Sequence, residues 1–257
     1  MEKESYLVEI IHIAKKEIPS VDDIIEITLN NLQLEKEFVY KQFGTALNLI
    51  DEKGTDVYLN YEKKALYKLA EQWVELQKED IKKELKDILM KKDWEEFVKS
   101  VSKVFTEFGI LVQKFEKDLG NMRKARGGIT FQKAVLRLLN FIDIQGEMPY
   151  GNVGERLGRI DIVLPSSKIA LENPSKAIFI TCKRTLRERW KQETPLIKYN
   201  KKVFLITLDQ NISEKKAKEI KSLGFIAFVQ DNLKKEKFSS LDWIKSLNEL
   251  PKELKRW

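Results

Sequence analysis

Two charged residues stand in segments of the sequence that are otherwise typical of buried strands. Asp161 interrupts the apolar run from Ile160 to Leu164, and Lys183 directly follows the largely apolar run from Ala177 to Cys182. Burying an unpaired charge is costly, so each needs a compensating partner. If the two strands are neighbours, the pair is either a structural ion pair or a metal-plus-base site. In such a site the carboxylate holds a hard cation, and the lysine orients or deprotonates a water molecule.

The composition narrows the chemistry that is available to the chain. Of the 257 residues, 42% are hydrophobic and 34% are charged, which is enough for a sizeable core in one large or two small domains. The single cysteine excludes an internal disulfide and a cysteine-based zinc site, and the single histidine excludes His-rich metal centres. The net charge of +7 favours a polyanionic partner, although basic chains without one are common.

The periodicity of apolar residues changes along the chain. Up to residue 119 it is helical, and the glycine-containing segment 120–128 is expected to separate a helical N-terminal domain (1–119) from an α/β domain (120–257). In the second part, strand patterns alternate with helical ones, which indicates a sheet with helices packed on it. Strands are predicted at 159–165, 177–183, 203–209 and 225–230, and helices at 131–142, 214–223 and 241–257.

The segment around the lysine carries a family resemblance. An aspartate, a spacer of about twenty residues and a strand that ends in lysine resemble the PD-(D/E)xK nuclease superfamily. Lys183-Arg-Thr-Leu-Arg187-Glu188-Arg189 is similar to the K-x-x-x-R-(D/E)-R segment of type II restriction endonucleases that recognise CCGG or split CC/GG sites. The resemblance covers residues 125–195. It implies an α/β fold with a mixed central sheet flanked by helices, here preceded by an all-α N-terminal domain.

The resemblance also implies roles for individual residues. Asp161 ligates Mg²⁺ and Lys183 positions the attacking water. The position two residues before the lysine, where the superfamily usually has an acid, is Thr181, and Glu193 is the expected replacement ligand from the following helix. Gln132 stands at the helix position where many such nucleases carry a metal-linked glutamate; it either binds a metal-bound water or only caps the core helix.

Other residues near these positions have competing interpretations. Glu147 and Glu155 can replace the missing carboxylate, or they are solvated loop residues. Arg123, Lys124 and Arg126 are expected to form a basic loop that grips phosphates or has no specific role.

Arg187, Glu188 and Arg189 are three consecutive charged residues. Consecutive helical residues point about 100° apart, so the three cannot share one flank of a buried helix. All three can reach base edges if the helix enters the major groove by its N-terminal end, where arginine suits guanine and glutamate accepts from cytosine. A salt-bridged surface helix is the alternative.

Together these features predict a Mg²⁺-dependent endonuclease that acts on double-stranded DNA. A palindromic target implies a homodimer or a higher homo-oligomer. The sequence contains no stretch typical of a signal peptide or a membrane span, so we expect a cytoplasmic protein of a prokaryote. Two alternatives stay open: a structure-selective nuclease such as a Holliday junction resolvase, and a non-catalytic DNA-binding protein in which Asp161 and Lys183 form only an ion pair.

Overall fold

A computed structural model describes residues 2–91, 94–186 and 202–256. The helices in this part of the chain are α1 (Glu2–Lys15), α2 (Val21–Leu32), α3 (Lys36–Lys41), α4 (Phe43–Leu76), α5 (Lys78–Lys91), α6 (Trp94–Phe141), α7 (Gly151–Arg156), α8 (Ser167–Glu172), α9 (Glu214–Ser222), α10 (Asp231–Lys237) and α11 (Leu250–Lys255). The strands are β1 (Ile162–Leu164), β2 (Ile178–Cys182), β3 (Lys202–Ile206), β4 (Ile226–Val229) and β5 (Ile244–Ser246). Among the described residues, no helix is both long enough and apolar enough to span a membrane.

The chain divides into two compact units that are interleaved in sequence. One consists of Met1–Ile24 and Thr55–Arg126, and the other of Ile25–Gly54 and Gly127–Trp257. The described secondary structure of the first unit is helical, and its core is built around large side chains such as Leu69, Trp73 and Phe115. The N-terminal helical region is therefore confirmed. The division into folding domains at residues 119 and 120 falls inside α6 and stays a prediction.

The glycine-containing segment 120–128 is helical, so the predicted basic loop is wrong. Helix α6 continues through it, and within the first unit Arg123 donates to Glu62 and Glu116, at 2.7 and 3.1 Å. Arg126 donates to the carbonyl of Pro19 at 2.7 Å. Each glycine in a helix costs roughly 1 kcal/mol relative to alanine. These tertiary contacts, and good helix formers between the glycines, offset that cost.

The sheet lies in the second unit and is mixed. Its order in the described chain is β1-β2-β3-β4-β5, with β1 antiparallel to β2 and every later pair parallel. The predicted α/β class with a mixed central sheet and flanking helices is confirmed. The register between the first two strands pairs Ile162 with Ile180. Because these strands are antiparallel, the residue before β1 lies beside the carboxyl end of β2.

Alternate residues of the strands pack into two different cores. On one face, Ile180 and Cys182 of β2 join a cluster with the start of α4 and the end of α6, through residues such as Phe43 and Leu138. On the other face, Phe179 joins a cluster with α9 and the turn regions around it. Helices therefore cover both faces of the sheet, which explains why the strands read as nearly continuous apolar runs.

The predicted closing helix 241–257 is wrong in its first part. Residues Ile244–Ser246 form β5, parallel to β4, and only Leu250–Lys255 is α-helical. Ser246 ends the strand with a capping box, in which its hydroxyl accepts a backbone N–H and Glu249 accepts the N–H of Ser246. Pro251 then occupies the first turn of α11, where a missing N–H costs nothing.

Candidate active site

Asp161 lies directly before β1, at the edge of the sheet where β1 and β2 meet. Its Oδ2 atom accepts the backbone N–H of Cys182 at 2.7 Å and the hydroxyl of Thr181 at 3.0 Å. Its Oδ1 atom accepts the side-chain amide of Gln132 at 2.6 Å. Three donors from two elements thus fix both oxygens, and they hold the carboxylate in one orientation.

Burial raises the pKa of Asp161 above its ordinary value, because desolvation disfavours the charged form. The backbone N–H of Cys182, the positive charge of Lys183 and the hydrogen bonds from Thr181 and Gln132 oppose this rise in pKa. A half-buried carboxylate whose desolvation outweighs its hydrogen bonds is incompletely compensated. Such a group is suited to bind an additional cation.

Lys183 directly follows β2 and is brought to the same edge as Asp161. Its backbone N–H donates to the carbonyl of Ile206 at 2.9 Å, so the pairing with β3 continues to the lysine itself. Strand alternation places Lys183 on the side of the sheet that Thr181 faces. The structure therefore brings Asp161 and Lys183, the first and last residues of the predicted motif, to one site.

Gln132, on α6, is the third predicted residue that the structure brings into this site. Its hydrogen bond to Asp161 excludes the interpretation that it only caps a core helix. Thr181 and Gln132 both stand at positions where the resemblance implies carboxylates, and both donate to Asp161 instead. One carboxylate is thus held by two neutral side chains.

We predict that Gln132→Glu makes the site depend on a cation. The new carboxylate faces Asp161 at close range, and two like charges raise the pKa of one of the pair and destabilise the fold. Mg²⁺ relieves that repulsion, so the melting temperature should be lower than wild type in EDTA and should rise more with Mg²⁺. Gln113→Glu, the same change at an exposed position of the same helix, is the control. Equal Mg²⁺ responses of the two variants would contradict the prediction.

The two other candidate carboxylates have different surroundings. Glu147 pairs through its backbone with Val163 of β1, and its side chain accepts the backbone N–H of Ser167 at the start of α8. Glu155 is exposed and lines a cleft of about 630 Å³ that also contains Gln132 and Asp161. Glu147 therefore has a structural partner, whereas Glu155 borders the site.

The predicted base-reading residues Arg187, Glu188 and Arg189, and the predicted ligand Glu193, lie outside the described residues. The last described residue before them, Leu186, is fixed on three sides. Its side chain is buried, its N–H donates to Asp209 at 2.7 Å, and its carbonyl accepts from the ammonium group of Lys216. Sequence reasoning missed Asp209 and Lys216, because these contacts join residues more than twenty positions apart.

Arg184 fixes the chain directly after Lys183, and this contact was not predicted from the sequence. Its guanidinium donates to Asp51 of α4 at 2.6 Å. Burial raises the pKa of Asp51, and the charge of Arg184 opposes the rise. The residue after Lys183 is thereby tied to a helix that covers the sheet, which restricts the backbone at the lysine.

The oxygen atoms around Asp161 fit a hard cation such as Mg²⁺. Mg²⁺ prefers one or two carboxylates, with the remaining positions filled by waters and substrate phosphates. Asp161 supplies one carboxylate, and the Thr181 hydroxyl supplies a further oxygen atom 3.0 Å away, whereas Gln132 faces Asp161 with its amide N–H. Among the described residues, no cluster of three or more His, Cys, Asp or Glu side chains is placed to hold a metal ion.

A mixed sheet whose antiparallel first strand brings an aspartate to a lysine defines a restriction-endonuclease-like fold. The fold is similar to that of Ecl18kI, solved metal-depleted with uncleaved, modified DNA, with a TM-score of 0.72 and 14% identity over 98% of this chain and 83% of that chain. It is also similar to the restriction endonuclease PspGI, solved with substrate DNA, with a TM-score of 0.64 and 18% identity over 95% of this chain and 94% of that chain.

The sequence itself identifies the family. Residues 87–246, more than half of the chain, match the family described as EcoRII C terminal. The chain belongs to the EcoRII C-terminal family. Curated proteins give no significant match. The family and the fold together support a restriction endonuclease.

Proposed function

We propose that this protein is a Mg²⁺-dependent type II restriction endonuclease that hydrolyses phosphodiester bonds of double-stranded DNA at a palindromic site. The observation that carries the proposal is that Asp161 and Lys183 lie at the same edge of the sheet, where β1 begins and β2 ends. Family membership supports it, as do similar structures that were solved with DNA.

Each residue of the proposed site has a part in the reaction, including Glu193, which lies outside the described residues. Asp161 and Glu193 would hold the Mg²⁺ ion, which supplies Lewis-acid stabilisation of the charge that develops on the phosphate. Lys183 positions the attacking water and stabilises the same charge from the protein side. Thr181, Gln132 and the N–H of Cys182 keep the Asp161 carboxylate in one orientation, so that little reorganisation is needed during the reaction.

Arg187, Glu188 and Arg189 are the proposed base-reading residues. Two arginines and one glutamate match the acceptors and donors of two adjacent G·C pairs, as a CCGG-containing or split CC/GG site requires in each half. A two-fold symmetric target is matched by a two-fold symmetric protein, so the active form is a homodimer or a higher homo-oligomer.

We predict that Glu188→Ala loses roughly 1–3 kcal/mol of discrimination at the C·G pair it reads. The measurement is the ratio of kcat/KM on the cognate site to that on a site with one changed C·G pair. Glu214→Ala removes the same charge at an exposed position of α9 and is the control. Undiminished selectivity in the Glu188 variant would remove the base-reading assignment but not the nuclease assignment.

A cleavage assay with Mg²⁺ on plasmid and on branched DNA tests the function. Discrete plasmid fragments support a restriction endonuclease, and sequencing their ends gives the recognised bases and the cut position. Cleavage confined to the branch point would instead indicate a junction resolvase. DNA that is bound but not cut would indicate a binding protein, and the Asp161–Lys183 pair would then be structural.

A further inference from the structure

Arg159 has a backbone conformation that is unfavourable for its residue type. Its φ angle is +58°, and that of the preceding Gly158 is +77°. In the left-handed region the Cβ atom of an L-residue crowds the following carbonyl, so glycine, asparagine and aspartate are the residues usually found there. Arginine at this position is held in place by its surroundings at a cost in stability.

The local structure explains the turn but not the arginine. The N–H of Gly158 donates to the carbonyl of Glu155 at 3.0 Å, and the N–H of Arg159 donates to the carbonyl of Gly154 at 2.8 Å. These bonds close the C-terminal end of α7 and direct the chain into β1. Glycine or asparagine would form the same two hydrogen bonds without strain. The turn therefore does not require an arginine, and we attribute the arginine to a function of its side chain.

The side chain of Arg159 borders the active site. It is exposed and lines the cleft of about 630 Å³ that Gln132 and Asp161 also line. Its guanidinium makes no hydrogen bond or ion pair with any residue in the described part of the chain. Arg137 and Arg184 of the same unit are paired, with Glu26 and Asp51, whereas Arg156, which does not line the cleft, resembles Arg159 in having no partner among the described residues.

The rest of the cleft is compatible with a strand of nucleic acid. Lys133 and the exposed Tyr150, whose hydroxyl contacts the sulfur of Met148 at 3.7 Å, also line the cleft and add a positive charge and a polar group to its walls. Two carboxylates, Glu155 and Asp161, also line it. Asp161 already accepts three hydrogen bonds, and Glu155 is exposed to water, where its charge is screened.

We propose that Arg159 binds a backbone phosphate of the DNA in this cleft, beside the bond that is cut at Asp161 and Lys183. Guanidinium groups bind phosphate oxygens through two parallel hydrogen bonds, and the contact is independent of base sequence. The inference rests on the proposed function and adds to it a positioning contact outside the catalytic and base-reading residues. The strained backbone aims the guanidinium at the strand that approaches Asp161.

The test compares Arg159→Asn with Arg159→Lys and with Arg156→Asn. Asparagine tolerates the left-handed backbone, lysine keeps the charge, and Arg156 is an exposed arginine of α7 that does not line the cleft. The dissociation constant for a duplex containing the cognate site is measured against salt concentration, with Ca²⁺ in place of Mg²⁺ and with the DNA shown to remain intact. Melting temperatures are measured in parallel.

We expect Arg159→Asn to weaken DNA binding about tenfold, as for a lost charge-assisted hydrogen bond. The slope of log Kd against log salt should fall by about one, and the melting temperature should be at or above wild type. Arg159→Lys should restore the salt slope, and Arg156→Asn should resemble wild type. An unchanged Kd and slope in Arg159→Asn, or an equal change in Arg156→Asn, would overturn the inference. Failure of the wild type itself to cut DNA would overturn the proposed function instead.

Discussion

Replacing Lys183 with alanine is expected to lower kcat by at least about a thousandfold while the protein still folds and binds DNA. In the proposed reaction the lysine acts on the water and on the charge that forms in the transition state, so its loss should affect kcat more than KM. Single-turnover cleavage of a plasmid in Mg²⁺ measures the effect. Lys176→Ala removes an exposed lysine just before β2, at the opposite end of the strand, and should cut at the wild-type rate.

The same variant separates catalysis from a structural ion pair. If Lys183 only compensated the charge of Asp161, its removal would leave that carboxylate half-buried without a cation and lower the melting temperature. The cleavage rate of the remaining folded protein would then be close to wild type. Because the charge of Lys183 also stabilises ionised Asp161, the cleavage rate of the folded variant is the deciding measurement: a large loss of rate supports the catalytic role, and a rate close to wild type contradicts it.

The meeting of Asp161 and Lys183 where β1 begins and β2 ends could be predicted from sequence because its signal is local, whereas their proposed catalytic role came from the family resemblance. A charge beside a run of β-branched and aromatic residues is visible without a structure, and strand alternation gives its face. Arg159 and Asp209 give no such signal. Arg159 adopts a left-handed backbone conformation, which an arginine in the sequence does not predict. Asp209 accepts a hydrogen bond from the backbone N–H of Leu186, which is 23 residues away in the sequence.

The interleaving of the two compact units could not be predicted, for a related reason. Helical periodicity shows which face of a helix is apolar, but not which core that face joins. Val39, Phe43 and Leu47 belong to segment 25–54 and pack against the sheet, although they lie within the helical first half of the sequence. The choice of partner depends on long-range shape and volume, which periodicity does not contain.

Replacing Asp161 with asparagine is expected to lower the cleavage rate by at least about a thousandfold and to stabilise the fold. The neutral amide loses the charge that would hold Mg²⁺ but keeps an oxygen to accept the Cys182 N–H and the Thr181 hydroxyl. Its amino group can donate to Gln132 once that side-chain amide turns over. Asp242→Asn, the same change at an exposed position, is the control for both measurements.

The stabilisation should depend on pH in a defined direction. Burial raises the pKa of Asp161 in the folded protein, so its ionised form is less favourable there than in the unfolded chain. This cost is present in full above the folded pKa and disappears as the pH falls through it. In EDTA, the variant should therefore melt above the wild type at neutral pH, and the difference should narrow as the solution is acidified. A variant that melts below the wild type at neutral pH would show that the hydrogen bonds to Asp161 outweigh its desolvation, and a variant that still cuts would remove Asp161 from the active site.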